Sequence, residues 1–188
     1  MGDVALVLPV VRSLVKTYPS VIVTIVTRPK FATLFAGIDG VEVFPADVDG
    51  EYRGLSGLWK LQQQLRALAP HRVIDLHDHL RTRILGLLLK ISGIPVTVFN
   101  KGRGEKKNAT GRSRSSYRSQ LLHTTERYRL AMASAGYPFE LMAGPHFIHV
   151  NAAQVIKQPG EIRIGIAPFS AHATKTWPLE QFVALMEH

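Results

Sequence analysis

Asp3 is the first side chain whose type and position suit catalysis. The pair Gly2-Asp3 is followed at once by an apolar, helix-compatible run, which is typical of the turn between a strand and a helix. In an α/β sheet such a turn lies at the carboxyl edge of the strands, where ligands bind. Gly2 allows backbone conformations that strain other residues. The Asp3 carboxylate can act as a general base, or it can simply cap the helix, whose dipole stabilises it by roughly 0.3–1 kcal/mol.

Lys175 lies shortly before a predicted helix that starts at Trp177-Pro178, with proline at a favoured first position. A lysine here can add its charge to the backbone N–H groups that bind phosphate at a helix N-terminus. Ser170 and Thr174 in the same loop can donate hydrogen bonds to the same anion. The alternative is a solvated loop lysine, which is the usual situation of lysines.

The run His77-Asp78-His79 follows a predicted strand and contains good metal ligands. Adjacent residues at a strand end point in different directions, and no cysteine or distant acid is placed to complete a shell, so we predict no metal site. Contact with a sugar and plain loop packing are the alternatives for these three residues, and loop packing is favoured. Arg81, at the start of the next helix, suits a phosphate or carboxylate because its planar fork matches both.

Residues 100–118 form a basic segment with almost no apolar side chain, which predicts a mobile loop. Its cations are Lys101, Arg103, Lys106, Lys107, Arg112, Arg114 and Arg118. They can bind an anionic molecule or surface, or they can serve only solubility.

The composition narrows the class of protein. The 188 residues are 46% apolar, enough for a hydrophobic core, and the net charge of +9 favours anionic partners such as nucleic acid, phosphorylated sugars or a membrane surface. There is no cysteine, so disulfides and thiolate metal sites are excluded. No apolar run is long enough for a transmembrane helix, and the start lacks the features of a signal peptide.

Hydrophobic periodicity predicts alternating helices and strands with short connections. The predicted helices are 4–18, 55–68, 80–91 and 121–135, with a short one near 29–36 and another from 177. The predicted strands are 21–27, 41–45, 73–76, 96–99, 147–150 and 162–167. The β-branched run Val21 to Thr27 is typical of a strand buried on both faces of a parallel sheet.

This alternation predicts an α/β fold with a doubly wound parallel sheet. We expect a first domain at 1–139, a linker at 140–160 and the start of a second domain at 161–188. A strand should precede the Gly2-Asp3 turn, so we expect Met1 to be an internal methionine and the central strand to be missing. The resulting gap or exposed edges should then pair with another chain, giving a dimer, or with the carboxyl-terminal segment.

Several separated pieces together resemble one family. They are Met1-Gly2-Asp3-Val4, Tyr18-Pro19, Val73-Ile74-Asp75-Leu76, Leu80-Arg81-Thr82-Arg83, His123-Thr124-Thr125-Glu126-Arg127-Tyr128 and Lys175-Thr176-Trp177-Pro178. In this order they are similar to the lipopolysaccharide heptosyltransferases, members of glycosyltransferase family 9 with the GT-B architecture. The resemblance implies a Rossmann-like acceptor-binding domain followed by the start of a nucleotide-sugar-binding domain.

The resemblance also implies roles for the candidate residues. Asp3 matches the base of an inverting transfer of heptose from ADP-heptose to the lipopolysaccharide inner core, and Lys175 matches a donor contact helped by Ser170 and Thr174. The acceptor contacts are Gly2, His77, Arg81, Lys101, Arg103 and Arg118. Glu126 and Arg127 fit either surface pairing or the cleft.

The same resemblance implies a cytoplasmic enzyme, peripheral on the inner membrane, that binds an anionic lipid A–core acceptor and needs no cofactor. We expect negligible transfer by this chain alone. The rival readings are a basic nucleic-acid-binding module and a generic nucleotide-binding α/β domain. The sequence disfavours both, since it has no aromatic-interleaved basic motif and no GxGxxG after a strand.

Overall fold

The computed structural model describes residues 2–102, 104, 121–143, 160, 166, 170 and 173–187. The chain divides into two compact units, Met1–Ile148 and His149–His188. The division falls within the segment that the sequence predicts as a linker.

The helices of the first unit follow the predicted pattern closely. They are α1 (Gly2–Ala5), α2 (Val7–Thr17), α3 (Gly54–Ala67), α4 (Leu80–Ile91) and α5 (Thr124–Ser134). The predicted short helix is a 3-10 helix, Pro29–Phe35. The start of α5 lies three residues later than predicted, because the His123 side chain accepts a hydrogen bond from the Thr125 N–H and so caps the helix there.

The single helix predicted at 4–18 is instead divided at Leu6 into α1 and α2. Pro9 is the physical reason, because it has no N–H to donate to the Ala5 carbonyl and its ring crowds that carbonyl. The oxygen of Pro9 itself accepts a hydrogen bond from the Ser13 hydroxyl at 2.7 Å. Gly2 does not have a positive φ, so this turn does not use the backbone conformations that only glycine adopts easily.

Four strands form two separate parallel pairs in the described part of the chain. Strand β1 (Val23–Thr27) pairs with β2 (Val41–Pro45), with Val23 opposite Val41. Strand β3 (Val73–Asp75) pairs with β4 (Val96–Val98), with Val73 opposite Val96. No ladder of hydrogen bonds joins the two pairs among these residues, and the gap expected from a missing central strand stays a prediction. The prediction that β1 is buried on both faces is wrong, since its residues alternate between half-buried and exposed. This alternation is that of a strand with one face packed against the core and the other open to solvent.

Helices cover both faces of the strands through two clusters of buried residues. One cluster contains Val10, Leu14, Phe99, Tyr128, Ala131, Met132 and Phe139, and both Val23 of β1 and Ile74 of β3 pack against it. The other contains Ala46, Tyr52, Leu61, Leu65 and Leu89, against which Phe44 of β2 and Val73 of β3 pack. Because Val73 and Ile74 are consecutive, they point to opposite faces. Thus α2 and α5 lie on one face, and α3 and α4 lie on the other.

The ion pairs of Asp49 bring together the loops that follow the carboxyl ends of the two strand pairs. Asp49 follows β2, and its carboxylate lies 2.8 Å from Arg28 after β1 and 3.6 Å from Arg81 after β3. The loops at the carboxyl ends of both sheets therefore lie on the same side of the unit.

The second unit contributes a 3-10 helix, Ala173–Lys175, and α6 (Leu179–Glu187). The Trp177 and Phe182 rings pack edge to face, with their centroids 4.8 Å apart. The strands predicted at 147–150 and 162–167 lie outside the described residues apart from Ile166, as does most of the basic segment 100–118. Among the described helices, none has the length and apolar character needed to cross a bilayer.

We predict that Gly57→Ala destabilises the fold although alanine favours helices. A Cβ on Gly57 would overlap the backbone of Tyr52, which passes against the start of α3. Overpacking against rigid backbone costs about 1–3 kcal/mol. The matched control is Gly86→Ala in α4, whose Cβ would meet Val96 at an ordinary 3.4 Å. That substitution should leave stability unchanged or raise it by up to about 1 kcal/mol. Urea unfolding measures both, and equal effects of the two substitutions would contradict this packing.

Candidate functional site

A cavity of about 220 Å³ lies at the carboxyl ends of β3 and β4 in the first unit. Its lining residues are Asp3, Leu76, His77, His79, Phe99, Lys101, Thr124, Arg127 and Tyr128. Pockets for drug-sized ligands have volumes of about 300–1,000 Å³, so this cavity suits one part of a larger ligand. Polar and charged groups predominate around an apolar floor formed by Leu76 and Phe99.

The Asp75 side chain fixes the turn that leads from β3 into the cavity wall. Its Oδ1 accepts hydrogen bonds from the backbone N–H groups of His77 at 2.8 Å and of Asp78 at 3.0 Å. This is the local turn that aspartate favours after a strand. It aims the following residues away from the strand direction.

Asp78 is held between the two loops that border the cavity. It has a φ of +48°, a conformation that aspartate tolerates better than most residues. Its Oδ1 accepts a hydrogen bond from Arg83 Nε at 2.6 Å, and its carbonyl accepts one from Lys101 Nζ at 2.9 Å. Asp78 therefore ties the start of α4 to the residues that follow β4.

His77 and His79 lie side by side in the cavity wall, with ring centroids 4.4 Å apart. Partial burial lowers the pKa of His77 below its usual 6.5, and the neighbouring His79 and Lys101 lower it further. Asp75 and Asp3 oppose this shift. The neutral imidazole is therefore favoured, and it can donate and accept hydrogen bonds to a hydroxylated ligand.

Arg127 supplies a buried cation to the cavity from the first turn of α5. Only 6% of the residue is exposed, and its Nε donates a hydrogen bond to the Leu122 carbonyl at 3.3 Å. The guanidinium lies against Gly102, where a Cβ would overlap it and where φ is +62°. Thr124 brings the N-terminal end of the same helix to the cavity, and the dipole there favours anions.

Asp3 in α1 lines the same cavity as these cations. Its negative charge affects two neighbours. It partly offsets the lowering of the His77 pKa, and it adds to the effect of burial in raising the pKa of Tyr128. The Tyr128 ring packs edge to face against Phe99 at 5.0 Å. A carboxylate, two imidazoles and two cations thus surround one space, which suits a ligand carrying both hydroxyl and anionic groups.

The structure brings together three of the residues predicted for the site, Asp3, His77 and Lys101. Gly2 and Arg81 do not line the cavity, and Arg81 instead lies beside Asp49. The other predicted residues are Arg103 and Arg118, which lie outside the described residues, and Ser170, Thr174 and Lys175, which belong to the second unit.

Sequence reasoning did not single out Thr124 and Tyr128, and it left the roles of His79 and Arg127 open. The two readings of Glu126 and Arg127 are now separated, because Glu126 binds Arg129, whose Nε lies 2.9 Å from both carboxylate oxygens. Arg127, in contrast, is buried and lines the cavity. The signal was present in the His-Thr-Thr-Glu-Arg-Tyr run, but only its packing identifies which face of α5 is buried.

No arrangement of three or more His, Asp or Glu side chains suited to a metal ion occurs within the described ranges. In the run at 77–79, the Asp78 carboxylate pairs with Arg83 and does not line the cavity, whereas both histidines do.

Comparisons with models of protein families, with curated proteins and with solved structures found no match to this chain.

We predict opposite shifts in the pKa of His77 when its two charged neighbours are neutralised. Lys101→Gln should raise the pKa because a repelling cation is removed, and Asp3→Asn should lower it because a favourable anion is removed. NMR titration of the imidazole resonances measures both.

The lowered pKa of His77 also makes the folding stability depend on pH. Because the folded pKa lies below 6.5, the unfolded chain binds the proton more readily, and His77 loses its stabilising contribution as pH falls below 6.5 through the lowered pKa. Shifts of the same sign in the two variants would show that Asp3 and Lys101 do not share the cavity with His77.

Proposed function

We propose that this chain is the acceptor-binding part of a glycosyltransferase that resembles the lipopolysaccharide heptosyltransferases. The transferred group is a heptose carried by ADP-heptose, and the acceptor is the anionic inner core of lipopolysaccharide at the cytoplasmic face of the inner membrane. The observation that carries the proposal is the placement of the Asp3 carboxylate in one cavity with His77, Lys101 and Arg127.

In the proposed reaction Asp3 is the general base. It takes the proton of an acceptor hydroxyl while that oxygen forms its bond to the anomeric carbon of the sugar. The bond from this carbon to the diphosphate breaks, and the nucleoside diphosphate leaves with the electron pair. A positioned base typically contributes about 10²–10⁴-fold to the rate.

The cations of the cavity hold the acceptor through its acidic groups. Lys101 is fixed by its hydrogen bond to the Asp78 carbonyl, and Arg127 by its burial and its bond to the Leu122 carbonyl. Charge-assisted hydrogen bonds from such prepositioned cations are stronger than neutral ones. The cavity volume of about 220 Å³ suits one sugar with its acidic substituent rather than the whole lipid-linked acceptor.

The donor side of the proposal involves the second unit. We assign the donor diphosphate to Lys175, with help from Ser170 and Thr174 in the loop before α6. We also propose that the β1–β2 and β3–β4 pairs are halves of one Rossmann-like doubly wound sheet in a GT-B enzyme. The meeting of the carboxyl-end loops at Asp49 and the packing of helices against opposite sides of β3 support this arrangement.

We predict that a truncated lipid A–core acceptor in detergent binds the chain and that Lys101→Met weakens the binding by about tenfold or more. The loss of one charge-assisted hydrogen bond costs about 1.5–3 kcal/mol. Asp3→Asn should retain the affinity, because the base acts on a hydroxyl and makes no attractive contact with the acidic groups. Isothermal titration calorimetry measures all three proteins.

The matched control is Lys16→Met, which removes an exposed lysine of α2 that does not line the cavity. This variant should bind the acceptor as tightly as the unaltered chain. Equal losses in the two lysine variants, or tighter binding of an oligonucleotide than of the acceptor, would overturn the assignment.

A further inference from the structure

Helix α4 exposes large apolar side chains on the side that faces away from the core. Leu80 is 75% exposed, Leu87 59% and Ile91 75%. Their spacings of seven and four residues place them on one stripe of the helix. Leu89, which is 1% exposed and packs in the core, lies on the opposite side. The helix is therefore apolar on both its inward and its outward side.

A surface helix normally presents polar residues to solvent, and here the charged residues of the helix only border the apolar stripe. At about 100° per residue, Arg83 and Lys90 border it on one side and Arg81 on the other. No acidic residue occurs in α4. We call the side chains of Leu80, Leu87 and Ile91, with their bordering cations, the outward α4 face.

The neighbouring helix extends the same character. Helix α3 packs beside α4 within one apolar cluster and also contains no acidic residue. It exposes Leu55 by 73% and Trp59 by 57%. Tryptophan and leucine beside cations are typical of helices that lie in the interface of an anionic bilayer.

We propose that the outward α4 face binds the surface of an anionic lipid bilayer, with α4 lying in the plane of the interface. The helix has 12 residues and is about 18 Å long, so it lies on the bilayer rather than crossing it. The apolar stripe enters the boundary between headgroups and acyl chains. Lys90 binds the anionic headgroups, whereas Arg83 and Arg81 pair with Asp78 and Asp49. Complementary charge favours lipid over a second copy of this chain, which carries a net charge of +9.

The inference rests on the proposed function only for its setting, a lipid-linked acceptor. It places the membrane contact on a folded helix face, whereas the sequence alone suggested the basic segment 100–118. The test uses vesicles that contain no acceptor, so its failure and the failure of the acceptor-binding proposal are separate results.

The experiment is co-sedimentation of the full chain with phosphatidylcholine vesicles that contain or lack phosphatidylglycerol. We expect binding to the anionic vesicles, and the triple variant Leu80→Ser/Leu87→Ser/Ile91→Ser should weaken it by about tenfold or more. Lys90→Gln should weaken it by about fivefold and reduce its dependence on salt. Circular dichroism should show an unchanged fold, because the substituted side chains are exposed.

The matched control is Ile22→Ser/Leu122→Ser/Leu130→Ser, which removes three apolar side chains that are 68%, 48% and 42% exposed elsewhere. This control should bind vesicles like the unaltered chain. Three outcomes would overturn the proposal: no binding of the unaltered chain to anionic vesicles, equal losses in the two triple variants, or a dimer in sedimentation equilibrium that only the α4 triple variant dissociates. The last would show that a second copy covers this face.

Discussion

The candidate site depends on one local interaction, the acceptance of two backbone hydrogen bonds by the Asp75 carboxylate. These bonds reverse the chain at the end of β3 and place Asp78 in its positive-φ conformation. From there Asp78 binds Arg83 through its carboxylate and Lys101 through its carbonyl. The two histidines on either side of Asp78 are left against the cavity, so a single turn positions the imidazoles, the lysine and the start of α4.

The cavity is built against the hydrophobic cluster rather than on a separate loop. Phe99 and Tyr128 belong both to the cavity lining and to the buried cluster that holds α2 and α5 on one face of the strands. Packing of that cluster therefore fixes two of the side chains that line the cavity. Charged groups placed beside such packed side chains suit the proposed deprotonation of a hydroxyl on an anionic acceptor, since prepositioned groups need little reorganisation during reaction.

Much of the secondary structure could be predicted from periodicity, because α3, α4 and the strands carry strong local patterns. The packing and burial of the elements could not be predicted in the same way. Pro9 divides the first helix through a missing backbone hydrogen bond, and β1 is less buried than its β-branched sequence indicates. Residue type and position in the sequence were enough to predict Asp3, His77 and Lys101 for the candidate site, and all three line the cavity. Arg127 required knowledge of which face of α5 is buried, and Gly102 required its close approach to that guanidinium.

The central claim is that one acidic acceptor group and its neighbouring hydroxyl occupy the cavity between Asp3 and Arg127. Mapping of chemical-shift changes in the isotope-labelled chain during titration with the truncated acceptor tests this most directly. We predict that the largest changes fall on the backbone amides of Asp3, His77, His79, Gly102 and Thr124. Saturable changes that leave these amides unmoved and fall elsewhere on the chain would contradict the account.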